Sequence, residues 1–262
     1  MTFQVFLEYL PILIISAIEG LTEFLPISST AHILFLGHIF DIQLQMEYIV
    51  SIQLGAILAV FFLYNHRIKI IIHEIRTNKP QLITTLIIIT IPAIIVGSIL
   101  HIIDFLHFIP IKLMQINLIL GGVLMLIFRK SSGENNNIMN ISHSSALKIG
   151  LFQIIALIPG VSRSASIIFG GIFSGLSKQC AIEVSFLSGL PIITAASFLE
   201  IYSGYSRGTS LELTLLTVNV TIAFIFSCIG IVCLKWMVKY NRDFEIFGFY
   251  RIIIGSALFF II

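Results

Sequence analysis

Glu19 and Glu23 stand four residues apart in an otherwise apolar stretch. On a helix they share one face and can reach a common ligand. Two carboxylates that close, in a low dielectric, cannot both stay ionised without a cation, and all-oxygen ligation suits a hard divalent ion such as Mg²⁺ or Ca²⁺. The alternative is one protonated carboxyl with both groups simply hydrogen-bonded. After Pro26 come Ser28, Ser29 and Thr30, hydroxyls at a helix break where free N–H groups can face an anion. His32 follows, able to act as acid, base or nucleophile, or to serve as a satisfied structural imidazole. A second polar island carries Gly160, where the backbone can approach closely, and Ser162 and Ser164 on either side of Arg163. A guanidinium holds phosphate oxygens at two points, or pairs with a buried carboxylate. Metal ligands, hydroxyls, an imidazole and a phosphate clamp together describe phosphoryl transfer.

These groups sit in a chain of 262 residues that is 57% hydrophobic and 11% charged. A soluble domain carries about 25% charged residues, so the expected fold class is an all-α polytopic membrane protein. A charge at bilayer depth costs about 2.5–3.5 kcal/mol, which makes both islands functional by default. Cys180, Cys228 and Cys233 lie in or beside apolar segments without metal-ligand spacing and read as small buried hydrophobes. The first apolar run has no basic region before it and contains Glu8 and Pro11, so a cleaved leader is not expected.

Ten apolar segments can be drawn, at about 3–18, 24–40, 47–64, 82–103, 111–128, 147–158, 161–175, 182–201, 213–237 and 246–262. A polar stretch, 129–146, reads as an exposed linker between two repeats, 1–128 and 147–262, within one membrane domain. Ser28, Ser29 and Ala31 align with Ser162, Arg163 and Ala165, 134 positions later. Val50, Ser51 and Gly55 match Val184, Ser185 and Gly189 at that offset, and Gly121 matches Gly255. Segment 147–158 makes roughly 18 Å of helix, too short for a core of about 30 Å. Segments 1–2 and 6–7, each broken at a polar island, are therefore expected to be re-entrant hairpins, leaving six crossings and an inverted-topology repeat. Eleven of the fifteen Lys and Arg residues then fall on the side away from the N-terminus, and only Lys112 and Arg207 on the N-terminal side. By the positive-inside rule the termini face outward, and the two hairpin tips meet near the midplane.

The run from Glu19 to Thr30 with His32, followed by Pro159 to Ser164, closely resembles the undecaprenyl-diphosphate phosphatase (bacitracin-resistance) family. The stretches Val50–Gly55 and Glu183–Leu187 look like the same family, so the similarity covers essentially the whole chain. The resemblance implies an inner-membrane hydrolase that removes one phosphate from a polyprenyl diphosphate, recycles the carrier lipid for peptidoglycan synthesis and confers bacitracin resistance. It also implies a site formed by Glu19, Glu23, Ser29, His32, Ser162, Arg163 and Ser164, open to the outer face. Ser29 is the preferred nucleophile and His32 its proton relay, with direct attack by His32 or by metal-activated water left open, and with Ser28, Thr30 and Gly160 binding substrate. The partners expected are the polyprenyl diphosphate and membrane lipid, without nucleic acid; a homodimer stays open. A transporter of the carrier lipid, or a degenerate paralogue, is the alternative.

Two positions depart from that family's pattern. Ala31 replaces a usual glycine, at about 1 kcal/mol if the position needs positive φ, and Ile167 replaces a usual threonine. Outside the islands, His101, Asp104 and His107 read as an interfacial polar cluster, Arg251 as an arginine snorkelling to the interface, and Gln53 as a candidate for pocket lining or helix packing.

Overall fold

Proline and serine punctuation, more than hydropathy, decides where the helices stop. The computed structural model describes residues 3–42, 46–103, 110–130, 132–206, 213–240 and 244–261. Among them are eleven α-helices and one 3₁₀ turn, with no strand. The helices are α1 (Phe3–Glu23), α2 (Ser29–Ile39), α3 (Met46–Leu63), α4 (Asn65–Thr77), α5 (Gln81–Ile102) and α6 (Ile111–Ile127), followed by α7 (His143–Ile155), α8 (Arg163–Phe173), α9 (Lys178–Ser206), α10 (Leu213–Lys239) and α11 (Glu245–Ile261). The all-helical expectation holds. Among the described residues, α5, α9 and α10 are long and apolar enough to cross a membrane, and the bent pair α3–α4 is a fourth candidate. Their outer faces carry exposed Ile91, Ile95 and Ile99 on α5 and Ile225, Ile229 and Val232 on α10, a surface suited to hydrocarbon.

Helix α2 and helix α8 are both 11 residues long, and they begin 134 positions apart; α6 and α11 are both 17 long at the same offset. Packing follows the offset. Helix α1 packs on α10 as α7 packs on α5, and α6 packs on α11. Gly20 lets α1 reach the backbone of Ala223, and Gly150 lets α7 reach Ile89, since a Cβ at either would collide with a main-chain atom. One asymmetry was not anticipated: α1 has 21 residues and its counterpart α7 only 13.

Two further differences have clear causes. The stretch between the third and fourth apolar segments is a helix, α4, which leaves α3 at 82°. It exposes Ile72 and Ile75 beside basic Lys69 and Arg76, as an interfacial helix does. Its Glu74 turns inward and accepts from the backbone N–H of Leu82 (2.9 Å) and Ile83 (3.1 Å), capping α5. The 129–146 stretch is not a fully exposed linker. Helix α7 starts at His143, capped by Ser142, while Ile138 and Ile141 are buried in the core. Apolar residues inside a polar stretch gave it that anchor. Basic residues gather at one end, where Arg67 meets Glu183 (2.6 Å) and Lys178 donates to the carbonyl of Arg129 (2.8 Å). Arg207, Arg242, Asp104 and His107 lie outside the described residues.

The hairpin tips meet inside the molecule. Ser164 Oγ, on the second tip, donates to the carbonyl of Leu25 on the first at 2.7 Å. Arg251 does not snorkel: it is fully buried, because five carbonyls offer it more than the interface would. Its guanidinium donates to Pro26 (3.2 Å) on one tip and to Gly160 (2.8 Å) and Val161 (3.0 Å) on the other. It also donates to Asn117 (3.1 Å) and Leu118 (3.3 Å) on α6. Each buried acceptor left unpaired costs about 1–3 kcal/mol. Arg251→Met is therefore expected to destabilise the detergent-solubilised protein by at least about 3 kcal/mol, read as a lowered melting temperature, with Arg251→Lys in between. An unchanged melting temperature in Arg251→Met would refute the bracing role.

Candidate active site

The residues just before α2 and α8 carry matching strain. Ser28 (φ 69°) and Ser162 (φ 77°) have left-handed backbones that side chains other than glycine rarely adopt, and they cap the two helices 134 residues apart. Such strain persists only where surrounding structure enforces it, and it concentrates at functional sites. Gly160, with φ 87°, is the position where glycine is required outright: a Cβ there would collide with the carbonyl of Met114.

Between the tips lies a cavity of about 200 Å³. Its polar wall is Glu23, Ser28, Ser29, Thr30, Gln53, Gly160, Ser162 and Arg163; its apolar wall is Ala156, Ile158, Ile192, Ile193 and Ala196. Seven of the residues expected from the sequence thus line one space, and Gln53 joins them. Glu23 is the hinge of the arrangement. One of its carboxylate oxygens accepts from Ser29 Oγ at 2.6 Å, and the other from Arg163 Nη2 at 3.2 Å. Arg163 also donates through Nη1 to the carbonyl of Ser185 (3.3 Å), and its guanidinium lies 5.5 Å from the ring centre of Phe24.

Glu19 sits behind this wall, fully buried, with one oxygen accepting from Gln53 Nε2 at 2.6 Å. Its other oxygen has no hydrogen-bond partner. An orphaned buried carboxylate oxygen, beside a second carboxylate and a hydroxyl, is a donor set that fits a hard divalent cation. Among the described residues no group of three or more His, Cys, Asp or Glu side chains clusters around a common point. Among the described residues Glu19 and Glu23 are thus the carboxylates on offer, and the balance of any coordination would fall to substrate phosphate and water, as is usual for Mg²⁺.

Two residues expected in the site are turned elsewhere. His32 Nδ1 hydrogen-bonds the carbonyl of Ser28 at 2.8 Å, which makes it the donor and leaves Nε2 to accept from Tyr250 Oη at 2.6 Å. The imidazole secures the strained serine from behind and does not reach the cavity wall. Ser164 is fully buried and ties the tips together without touching the cavity. Neither departure from the family pattern disturbs the site. Ala31 lies within α2 without positive φ, buried against Met114, Leu118 and Leu258, and Ile167 is buried in the core away from the cavity. Sequence reasoning missed Tyr250 as a partner of His32 and Arg251 as the brace. The available signal was an arginine inside an apolar run, 134 residues after Asn117, whose side chain also serves the tip by donating to Pro159 at 2.8 Å.

A hydroxyl donating to a carboxylate, with a guanidinium on that carboxylate's other oxygen, inside a helical membrane protein, is the layout of an integral-membrane phosphoryl-transfer protein. The model of the bacitracin resistance protein BacA family matches residues 12–257, and the chain belongs to that family. Curated relatives called undecaprenyl-diphosphatase are similar over nearly their full length. The one from Enterococcus faecalis is 34% identical, covering 94% of each chain. The one from Methylobacillus flagellatus is 35% identical, covering 92% of this chain and 93% of its own. The one from Methanococcus aeolicus is 34% identical, covering 96% and 98%.

Gly189 tests whether the position of Arg163 matters. A Cβ there would collide with the tip of the guanidinium, the flexible end of a side chain, so the fold can accept it while Arg163 cannot keep its seat. Displacing a positioning group by about 1 Å costs on the order of 10²-fold in rate. Gly189→Ala is expected to lower turnover by about that factor with a near-normal melting temperature; undiminished turnover would contradict the placement of Arg163.

Proposed function

We propose that this protein hydrolyses undecaprenyl diphosphate, or a closely similar polyprenyl diphosphate, to the monophosphate and inorganic phosphate. The observation that carries this reading is the 2.6 Å hydrogen bond from Ser29 to Glu23, with Arg163 on the other oxygen, at the wall of a polar cavity. The similarity to the undecaprenyl-diphosphatases supports the choice of substrate.

In this mechanism Arg163, Ser162 and the backbone around Gly160 hold the diphosphate, and the prenyl chain leaves along the apolar wall at Ile192, Ile193 and Ala196. Ser29 Oγ attacks the terminal phosphorus while its proton passes to Glu23. The bridging P–O bond breaks and the lipid monophosphate departs with the electron pair, its charge facing Arg163. Water then cleaves the serine–phosphate ester, releasing inorganic phosphate and restoring the hydroxyl. Glu23 thereby takes the role that the sequence suggested for His32, which instead orients the loop. A divalent cation held by Glu19 and Glu23 would neutralise diphosphate charge and polarise the transferred group.

The basic end of the molecule is assigned to the cytoplasm of a bacterial inner membrane. Helix α9 leaves that end at Lys178 and reaches the cavity at Ile192 to Ala196, about 21–27 Å further on. The site is therefore proposed to open toward the outer face.

Phosphate release from a polyprenyl diphosphate by the purified protein is the test. Ser29→Ala is expected to reduce turnover by at least about 10²-fold; retention of half the rate would remove serine as the nucleophile. Chelator is expected to abolish release and added Mg²⁺ or Ca²⁺ to restore it. Full activity under chelation would remove the cation alone.

A further inference from the structure

A hollow larger than the catalytic one opens elsewhere in the molecule. A cavity of about 580 Å³ opens at the basic end, between the α3–α4 elbow, the start of α9 and the last turns of α10. Its charged wall is His66, Glu183, Lys235 and Lys239. Glu183 is already engaged, gripped at both oxygens by Arg67 (2.6 and 3.1 Å). The lysines are not neutralised in this way. Lys235 Nζ rests 4.8 Å over the ring of Tyr64 and Lys239 Nζ 5.9 Å from that of Tyr240, and among the described residues neither pairs with a carboxylate. The cavity thus presents two cations, four residues apart on one helix, that lack an anion.

The rest of the wall says which anion. Ile182, Val232 and Val238 are apolar, and Trp236 is 53% exposed with its ring tilted at 52° against that of Tyr240, the centroids 5.1 Å apart. Amphipathic rings in that state, at the end of a hydrophobic helix, mark head-group depth. The amphipathic helix α4, with Ile72 and Ile75 exposed, leaves the elbow at the same level. We propose that this cavity binds the phosphate head group of an anionic membrane lipid, with Lys235 and Lys239 on the phosphate and the acyl chains running along Val232 and Ile182. A free inorganic anion would use the lysines and leave the apolar wall and the exposed ring pair without a function. A lipid uses all three. This site lies on the first turns of α9, whereas the catalytic cavity meets that helix midway, at Ile192 to Ala196, and the inference does not rest on the hydrolytic reading.

Trp236 is the chain's single tryptophan, so its fluorescence reports on this cavity alone. The full-length protein is reconstituted in phosphatidylcholine vesicles at fixed ionic strength and titrated with either brominated phosphatidylglycerol or brominated phosphatidylcholine. With two lysines each contributing about fivefold, the anionic lipid is expected to reach half-quenching at a mole fraction about 25-fold lower. Lys235→Gln with Lys239→Gln is expected to erase that preference, while an unchanged melting temperature shows the variant to be folded. Equal quenching by the two lipids in the wild-type protein overturns the proposal, as does a preference that survives in the double variant. Inorganic phosphate added in the same buffer is expected to leave the quenching unchanged. Displacement of the anionic lipid by phosphate would assign the cavity to a free anion and overturn the lipid.

Discussion

A helix that breaks inside a membrane protein leaves carbonyls and N–H groups with neither water nor a following turn to bond them. Two such breaks face each other here, at Pro26 and at Pro159, and the fold depends on satisfying them jointly. Arg251 does most of this, with donors fixed in a planar fork and spread over both tips and α6. Asn117 and Ser164 supply two further bonds. A lysine, with three donors on one atom, cannot reach acceptors so widely separated. The site is a consequence of this closure: once the tips are held together, Glu23 and Arg163 are within bonding distance.

The geometry at the tips also shows how a hydrolytic centre survives in apolar surroundings. Glu23 in the cavity is met by the charge of Arg163 and the hydroxyl of Ser29, and Glu19 behind the wall accepts one hydrogen bond from Gln53. Isolated, such groups would be costly; paired and hydrogen-bonded, they are retained. The orphaned oxygen of Glu19 and the unpaired Arg163 Nε are the exceptions, and both belong to residues that would face a phosphate or its counter-ion. Strain at Ser28 and Ser162 completes the picture, because both serines are held in an unfavourable backbone by bonds made behind them. His32 and Tyr250 therefore reach the cavity only through the backbone of Ser28.

Much of this was legible in the residues, for definable reasons. Polar groups in hydrocarbon are expensive enough that Glu23, Ser29 and Arg163 announce themselves, and the 134-residue offset located their two halves. Helix α4 was not legible, since its alternating Ile and basic residues resemble a charged loop until the 82° bend lays them along an interface. The buried anchors Ile138 and Ile141 were hidden by their polar neighbours. Orientation within the site was beyond sequence altogether. His32 and Ser164 have the right chemistry at the right distance along the chain, and only the direction of the side chain, fixed by Tyr250 and by Leu25, removes them from the cavity wall.

The proposed chemistry requires Glu23 and Arg163 to act as one unit. A double-mutant cycle on phosphate release measures this directly, using the wild-type protein, Glu23→Gln, Arg163→Gln and the two combined. If the carboxylate and guanidinium work as a contacting pair, the combined variant loses no more kcat/KM than the worse single variant, within about threefold. Losses that multiply, as for groups working independently, would contradict it.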